Sequence, residues 1–367
     1  MAADKIRLGI IGANPTVGWG PRAHLPAAAA SPDVELTAVC TTREESATAS
    51  ARKYGAKMAF HDYRDMLACP DIDAVAVVLR VPSHYEPTRA ALEAGKHVFT
   101  EWPLGKDTAE AEALTALAQQ KGLQTCVGLQ ARAAPAVLYM KELVDTGYVG
   151  EVLSCNMSLL RDGVLQRTSD RTWQRDDTLG ATTLTIAAGH SIDAMRFIVG
   201  DFRQVSAVVT TQVPQWLEVD TQRLVDVTAP DNILVSGQLT SGAVASVHVA
   251  SLPWAGTGYR LEIYGREGTL VATSDESPQL GTVQLQGTRA NGKLEPLDIP
   301  SRYRYVPEDM PKGAPYNVGQ LYALFARAIR SGEVAPSKAT FATAVDLHRL
   351  IDAIRESSVR GRQIAVS

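Results

Sequence analysis

Lys5-Ile6-Arg7-Leu8-Gly9-Ile10-Ile11-Gly12-Ala13-Asn14-Pro15-Thr16-Val17-Gly18-Trp19-Gly20 is the stretch on which the fold turns. Lys5–Ile11 is a short, nearly continuous apolar run, as expected of a strand buried on both faces. The glycine-rich turn behind it lets main-chain amides approach a pyrophosphate, which a following helix N-terminus favours electrostatically. The usual G-x-G-x-x-G spacing is not met: Asn14 takes the place of the second glycine and the loop is longer. Asparagine tolerates positive φ better than most residues, so this reading keeps the turn. Alone, the loop would equally suit a tight structural turn without a ligand.

Working outward, Val34–Cys40, Ala74–Leu79, His97–Thr100 and Leu123–Val127 repeat the buried-strand type. Ala-rich helical segments separate them, clearest at Glu44–Tyr54, Ser83–Ala94 and Asp107–Lys121, with Gly55, Gly95 and Gly122 as stops. Strand–helix alternation predicts a doubly wound parallel sheet, whose ligands bind at the carboxyl ends of the strands. Strand two ends Val39-Cys40-Thr41-Thr42-Arg43, with no acid before Glu44. NAD binders usually place a carboxylate here for the ribose 2′-hydroxyl, whereas NADP binders offer hydroxyls and an arginine to the 2′-phosphate. Thr41, Thr42 and Arg43 match the second arrangement, so NADP is expected over NAD; Thr41 and Thr42 also suit capping of the next helix.

After residue 128 the pattern changes. Ala133–Thr146 reads as a helix, followed by Val- and Thr-rich runs at Val152–Leu159, Gln204–Thr211, Arg223–Thr228, Ile233–Leu239, Ala243–Ala250 and Tyr259–Tyr264. Helices at about 181–199, Tyr316–Ser331 and Phe341–Glu356 interrupt and close this part, and Thr288–Pro311 reads as loop. The expected organisation is an α/β Rossmann domain over 1–128 and an α+β domain with a large, mostly antiparallel open sheet over 129–367.

Composition narrows the function classes. The 367 residues carry 36 Lys+Arg against 40 Asp+Glu, a net charge of −4 with no basic cluster, which argues against a nucleic-acid surface. No apolar run approaches the roughly 20 residues that span a bilayer, and the N-terminus lacks a secretory pattern. Cys40, Cys69, Cys126 and Cys155 lack metal-ligand spacing and read as free thiols of a cytoplasmic protein; no metal site is expected.

Three segments carry a family resemblance: the first-strand turn, Pro82 to Leu104, and Gly180 to Gly200 with His190 and Asp193. The sequence resembles the Gfo/Idh/MocA oxidoreductases over nearly the whole chain. That likeness implies a nicotinamide cofactor, a substrate between the domains, and a homodimer or homotetramer formed through the second-domain sheet. It implies cofactor contacts from Gly12, Asn14, Gly18, Trp19, Thr41, Thr42, Arg43, Val81, Pro82, His84, Glu101, Trp102 and Gln130. Trp102, Arg132 and His190 are the corresponding substrate candidates; Arg161, Arg171 and Trp173 precede the His190 helix in an open polar loop, placed to reach the substrate or equally to stay solvated. Most members have Glu-Lys-Pro where this chain has Glu101-Trp102-Pro103, and an aspartate where it has Ile186. The Glu-Trp-Pro variant is similar to a subgroup that includes the fungal galactose-regulon repressor, a regulator.

Hydride transfer from an alcohol needs a group that takes the hydroxyl proton near neutral pH, and histidine suits this best. By the resemblance His190 is the catalytic histidine. Asp193, at i+3, can share its face as an orienting partner. Trp102 cannot replace a lysine chemically, because indole only donates. Three readings follow: an NADP-dependent oxidoreductase acting on a sugar, polyol or related carbonyl compound; an NADP-binding regulator without catalysis; or a redox-neutral epimerase, lyase or glycosidase that retains its cofactor.

Overall fold

Leu8, Ile10 and Ile11 are buried in β1 (Ile6–Ile11), the strand from which the first unit grows. The computed structural model describes residues 4–366. The chain forms two compact units: the stretch up to Ala133 with Arg304–Val345, and Ala134–Tyr303 with the stretch from Asp346 onward.

In the first unit β1 pairs in parallel with β2 (Val34–Cys40) and β4 (Ala74–Val77), and the sheet extends to β3 (Met58–Phe60) on one side and to β5 (His97–Thr100) and β6 (Thr125–Val127) on the other. The six-stranded order is β3-β2-β1-β4-β5-β6, all parallel, with the reversal of direction at β1. Val75, Ala76, Val77, Val98 and Phe99 are wholly buried, as continuous apolar strands in a sheet covered on both faces must be. The connecting helices are α1 (Leu25–Ala30), α2 (Glu44–Tyr54), α3 (Tyr63–Ala68), α4 (Tyr85–Glu93) and α5 (Thr108–Gln120). Asp107 caps α5 by accepting from the Glu110 amide at 2.9 Å, while the Glu110 carboxylate reaches back to the Lys106 amide at 3.0 Å. The alternating Rossmann pattern is therefore the observed one.

An ion pair locks two strand starts together. The Asp73 carboxylate accepts from the Arg7 amide at 2.9 Å and from Arg7 Nη2 at 2.7 Å. Burial raises the Asp73 pKa, but the hydrogen bonds and charge of Arg7 outweigh it and hold the carboxyl below its usual value. A lowered acid pKa adds stability that is present above the unfolded value and lost as pH falls through the folded one. Acid-titrated thermal melts are therefore expected to lose stability below about pH 4, and more gently in Asp73→Asn.

The second unit begins with α6 (Pro135–Asp145) and β7 (Val152–Arg161). After β8 (Gln166–Arg167) a 3₁₀ turn, Ser169–Arg175, and a π-helical turn, Thr183–Ala188, lead into α7 (Gly189–Val199). The remaining strands are β9 (Phe202–Thr210), β10 (Gln215–Glu218), β11 (Arg223–Asp226), β12 (Asn232–Leu239), β13 (Val244–Ser251), β14 (Gly258–Gly265), β15 (Gly268–Ser274), β16 (Gln284–Arg289) and β17 (Glu295–Pro296). The helices α8 (Ala314–Ser331) and α9 (Phe341–Arg360), with β18 (Ile364–Ala365), complete the order.

Nine of these strands form one sheet, β17-β16-β15-β14-β7-β13-β12-β9-β18, antiparallel except where β7 meets β13. Period-two burial is plain in β12, where Ile233 and Val235 are buried and Leu234 between them is 49% exposed. The described structure departs from the sequence reading in detail. Arg223–Asp226 does not join the large sheet but pairs with β10 in a separate three-stranded sheet, β11-β10-β8, over a small core of Trp216, Val225, Val227 and Ala229. Thr288–Pro311 holds the end of β16, all of β17 and a 3₁₀ turn at Ser301–Tyr303. The sequence places one boundary at 128/129, whereas the chain crosses back into the first unit at Arg304. The apolar face of α8, with Leu321, Tyr322, Leu324 and Phe325 buried, packs there against α1.

Candidate active site

At the carboxyl edge of the first unit, Gly12 leaves β1 at φ +86°, and a Cβ there would lie 2.1 Å from the Val78 carbonyl oxygen. Only glycine fits. The Gly12 and Ala13 amides both donate to the Cys40 carbonyl, at 3.0 and 3.1 Å, which ties the turn to the end of β2. Asn14 holds the loop differently from expectation. It is not among the positive-φ residues; instead its Oδ1 accepts from the Thr16 and Val17 amides, each at 3.0 Å. It replaces a glycine by folding its side chain into the loop, an Asx turn in place of a left-handed backbone. Gly18 supplies the positive φ, at +92°. A π-helical turn, Gly20–His24, follows at once.

Thr41 is also used internally: its hydroxyl bonds to Ser46 Oγ at 2.6 Å and to the Arg43 carbonyl at 2.9 Å, shaping the entry to α2. Thr42 and Arg43 stay exposed. Val81 and Pro82 form a 3₁₀ turn after β4, and His84 behind it is 1% exposed. Its Nδ1 lies 2.7 Å from the Pro103 carbonyl and its Nε2 3.0 Å from that of Leu79. Burial lowers the His84 pKa while the two carbonyls raise it, and burial prevails. His84 thereby clips the β4 turn to the segment after β5.

The most built part of this edge joins Glu101 and Gln130, which the sequence offered as candidates, to His24 and Tyr322, which it did not. Glu101, at the end of β5, receives His24 Nε2 at 2.7 Å and Gln130 Nε2 at 2.9 Å. The other His24 nitrogen meets Tyr322 Oη at 2.6 Å, and His24 packs edge-on against Phe99 at 5.3 Å between ring centroids. His24 and Tyr322 are wholly buried, and a Cβ on Gly128 would fall 2.6 Å from the Glu101 carboxylate. Trp102 is buried beside it, and Arg132, on the turn after β6, reaches the Ser337 carbonyl at 3.5 Å. Two polar atoms remain buried without a protein partner: Trp19 Nε1, a donor, and Gln130 Oε1, an acceptor. A bound dinucleotide, rich in both donors and acceptors, fits such orphans.

In the second unit a reciprocal cap opens the helical segment: the Thr185 amide donates to Thr182 Oγ1 at 3.3 Å, and the Thr182 amide to Thr185 Oγ1 at 2.8 Å. The π-helical turn that follows runs straight into α7, with His190 as its second residue, 6% exposed, and Asp193 fully buried. The two π-helical turns among the described residues thus abut candidate functional residues, where such turns are frequently found. Arg161 ends β7, and Trp173 lies on the Ser169–Arg175 turn, so neither sits on the open loop that the sequence suggested. Among the described residues no cluster fit to hold a metal ion is present, and no helix is long and apolar enough to cross a membrane. The four cysteines are unpaired thiols, three of them buried, and burial pushes Cys40 up to about 12.

Residues 6–129 match the family model described as Gfo/Idh/MocA, oxidoreductase family, NAD-binding Rossmann fold, and residues 135–274 match that of the Gal80p C-terminal domain. A dTDP-3,4-didehydro-2,6-dideoxy-α-D-glucose 3-reductase of Streptomyces violaceoruber is 32% identical over 71% of this chain and 71% of its own. The chain belongs to the Gfo/Idh/MocA oxidoreductase family. Within that family it is similar to a dehydrogenase of Aspergillus oryzae, 36% identical over 60% of this chain and 62% of the relative. It is also similar to the galactose/lactose metabolism regulatory protein of Saccharomyces cerevisiae, 25% identical over 100% of this chain and 95% of that one. The solved levoglucosan dehydrogenase complex with NADH and levoglucosan superimposes with TM-score 0.85 at 25% identity, covering 99% of this chain and all of that one. An NAD-binding Rossmann unit is thus followed by a second unit that matches the Gal80p C-terminal domain.

Proposed function

We propose that the protein is an NADP-dependent oxidoreductase that moves hydride to or from a sugar, polyol or related carbonyl compound, with His190 exchanging the hydroxyl proton. The observation that carries this reading is the placement of a buried histidine at the head of α7, behind a capped π-helical turn, in an oxidoreductase-family chain. A bound nicotinamide would supply the two-electron chemistry. Gly12, Gly18 and the loop held by Asn14 would admit its pyrophosphate, with Trp19, Val81, Pro82, His84, Glu101, Trp102 and Gln130 lining the same sheet edge. In the oxidative direction His190 accepts the proton released from the substrate hydroxyl; in reduction it returns that proton to the new alkoxide oxygen. Asp193 orients His190, and Trp102 offers a flat apolar wall in place of the family lysine. Arg132, Arg161 and Trp173 are the further groups proposed to touch substrate.

The NADP preference is supported by the end of β2, where Thr42 and Arg43 are exposed and no carboxylate precedes Glu44. Arg43→Ala is expected to weaken NADPH binding about tenfold to a hundredfold, the worth of a charge-assisted hydrogen bond, and to leave NADH unchanged. Fluorescence titration of both nucleotides checks it; equal losses for the two would remove Arg43 from the 2′-phosphate. The open face of the nine-stranded sheet, where Val208, Leu234, Val244 and Tyr264 stand exposed among polar residues, is the surface proposed for self-association into a dimer or tetramer.

One observation favours a second reading, a cofactor-binding regulator: a buried tryptophan stands where most relatives have a lysine, in a chain whose second unit matches the Gal80p C-terminal domain. Reduced-nicotinamide absorbance followed over a sugar and polyol panel separates the two. Turnover supports the enzyme; NADP-dependent capture of a protein partner without turnover supports the regulator.

A further inference from the structure

Three arginines of the second unit stand together, and among the described residues no carboxylate lies within ion-pair distance of any of them. Arg161 is the last residue of β7, Arg167 lies on β8 and Arg171 on the Ser169–Arg175 turn. Among the described residues the Arg161 guanidinium makes no hydrogen bond or ion pair, and its Nε is buried. Arg167 lies over the Trp216 ring at 4.8 Å and uses Nη1 on the carbonyls of Gly163 and Gln166, while its Nε and the indole Nε1 of Trp216 are both buried without partners. Arg171 makes one long contact, 3.5 Å to Gln174 Oε1.

Two nearby acids, Glu218 and Asp220, are engaged elsewhere. Glu218, in register with Arg167, accepts from Thr172 Oγ1 at 2.6 Å and Thr221 Oγ1 at 2.7 Å. Asp220 accepts from the Ser169 amide at 2.8 Å. The arginines repel one another, and Asp162, next to Arg161, offsets part of that repulsion. Burial, then Arg171 and Arg161, lower the Arg167 pKa to about 10; burial, then Arg171, lower that of Arg161 against an opposing pull from Asp162. Half-buried guanidinium groups with unused N–H groups, as at Arg161 and Arg167 beside the exposed Arg171, are unfavourable unless something negative completes them.

Its position matters as much as its charge. Arg161 is in register with Ser251, whose Oγ lies 3.1 Å from the hydroxyl of Thr183, the first residue of the π-helical turn leading to His190. We propose that Arg161, Arg167 and Arg171 bind an anionic group, carboxylate or phosphate, carried by the sugar-type ligand of this unit. This deepens the oxidoreductase reading, on which the identity of that ligand as substrate rests. Guanidinium forks match both anions bidentately, and the stacked Arg167 is pre-oriented by Trp216.

The test is a low-salt tryptophan-fluorescence titration of the full chain with D-gluconate, D-glucose 6-phosphate and D-glucose, in wild type, Arg161→Gln and Arg161→Lys. At least one anionic probe is expected to bind tenfold or more tightly than glucose, with salt weakening the difference. Gluconate and glucose 6-phosphate tell carboxylate from phosphate. Arg161→Gln is expected to lose tenfold or more of that affinity, several times more than it loses for glucose, and to melt no lower than wild type without ligand; Arg161→Lys recovers part of the loss. Equal affinity for all three probes, an unaltered Arg161→Gln, or a lowered melting temperature in that variant would overturn the proposal. Anion binding without hydride transfer removes only the oxidoreductase reading. Turnover of neutral sugars that Arg161→Gln leaves untouched removes only the anion site.

Discussion

His190→Ala is expected to slow hydride transfer by about 10²–10⁴-fold, the range that a positioned general acid–base contributes, while NADPH affinity stays at the wild-type value. The division of labour between units makes the result sharp. The residues proposed for nucleotide binding belong to the first unit and His190 to the second. Its burial, 6% exposed in a helix that continues a capped π-helical turn, means that truncation also opens space. His190→Asn therefore accompanies it, because asparagine keeps a hydrogen-bonding side chain of similar reach but exchanges no proton near neutrality. Single-turnover reduction of bound NADP by the responding sugar or polyol measures both. Loss of rate in both variants, with NADPH titrations unchanged, is the expected pattern; wild-type rates in His190→Asn would remove the histidine from the proton path.

His24→Ala is expected to destabilise the protein by about 3–5 kcal/mol, in the range for breaking a buried pair and for emptying a large core site. The Glu101 carboxylate, in a side chain 10% exposed, would keep Gln130 Nε2 and lose the imidazole that now meets it at 2.7 Å. Tyr322 Oη would lose its contact at 2.6 Å, and Phe99 its edge-on neighbour. Tyr322→Phe removes only the hydroxyl, so about 1–3 kcal/mol is expected there for a buried partner left unsatisfied. Urea unfolding midpoints at constant slope check both. Equal, small effects would mean that the network is ornamental to the Rossmann unit and that Glu101 is held by other means.

The contrast between these two histidines explains how much was legible in the sequence. His190 stands in a local segment with a helix signal and a recognisable spacing, so residue type and neighbourhood sufficed to single it out. His24 meets Tyr322 across 298 positions of chain, and nothing local to either residue announces that meeting. The parallel sheet was readable because buried strands of β1 type are continuous apolar runs separated by capped helices. The short β8 and β10 were not, since two- and four-residue strands carry too little periodicity. β15 and β16 were missed for a different reason: glycines at 268 and 287 and polar residues in β16 blur the alternation. At Asn14 the turn was read correctly and its chemistry was not. The side chain, by accepting two amides, does what a left-handed backbone was expected to do. Arg161 and Arg171 were visible as candidates, but Arg167 emerged only when β8 brought it beside them.

Hydride transfer on NADP is the central claim, and the most direct measurement is the reduced-nicotinamide absorbance of the purified protein mixed with NADP⁺ and a panel of neutral sugars, polyols, sugar acids and sugar phosphates. The predicted result is a rise in absorbance with at least one of them, faster with NADP⁺ than with NAD⁺ and lost in His190→Asn. NADP bound tightly with no change across the panel, in either direction of the reaction, would contradict it.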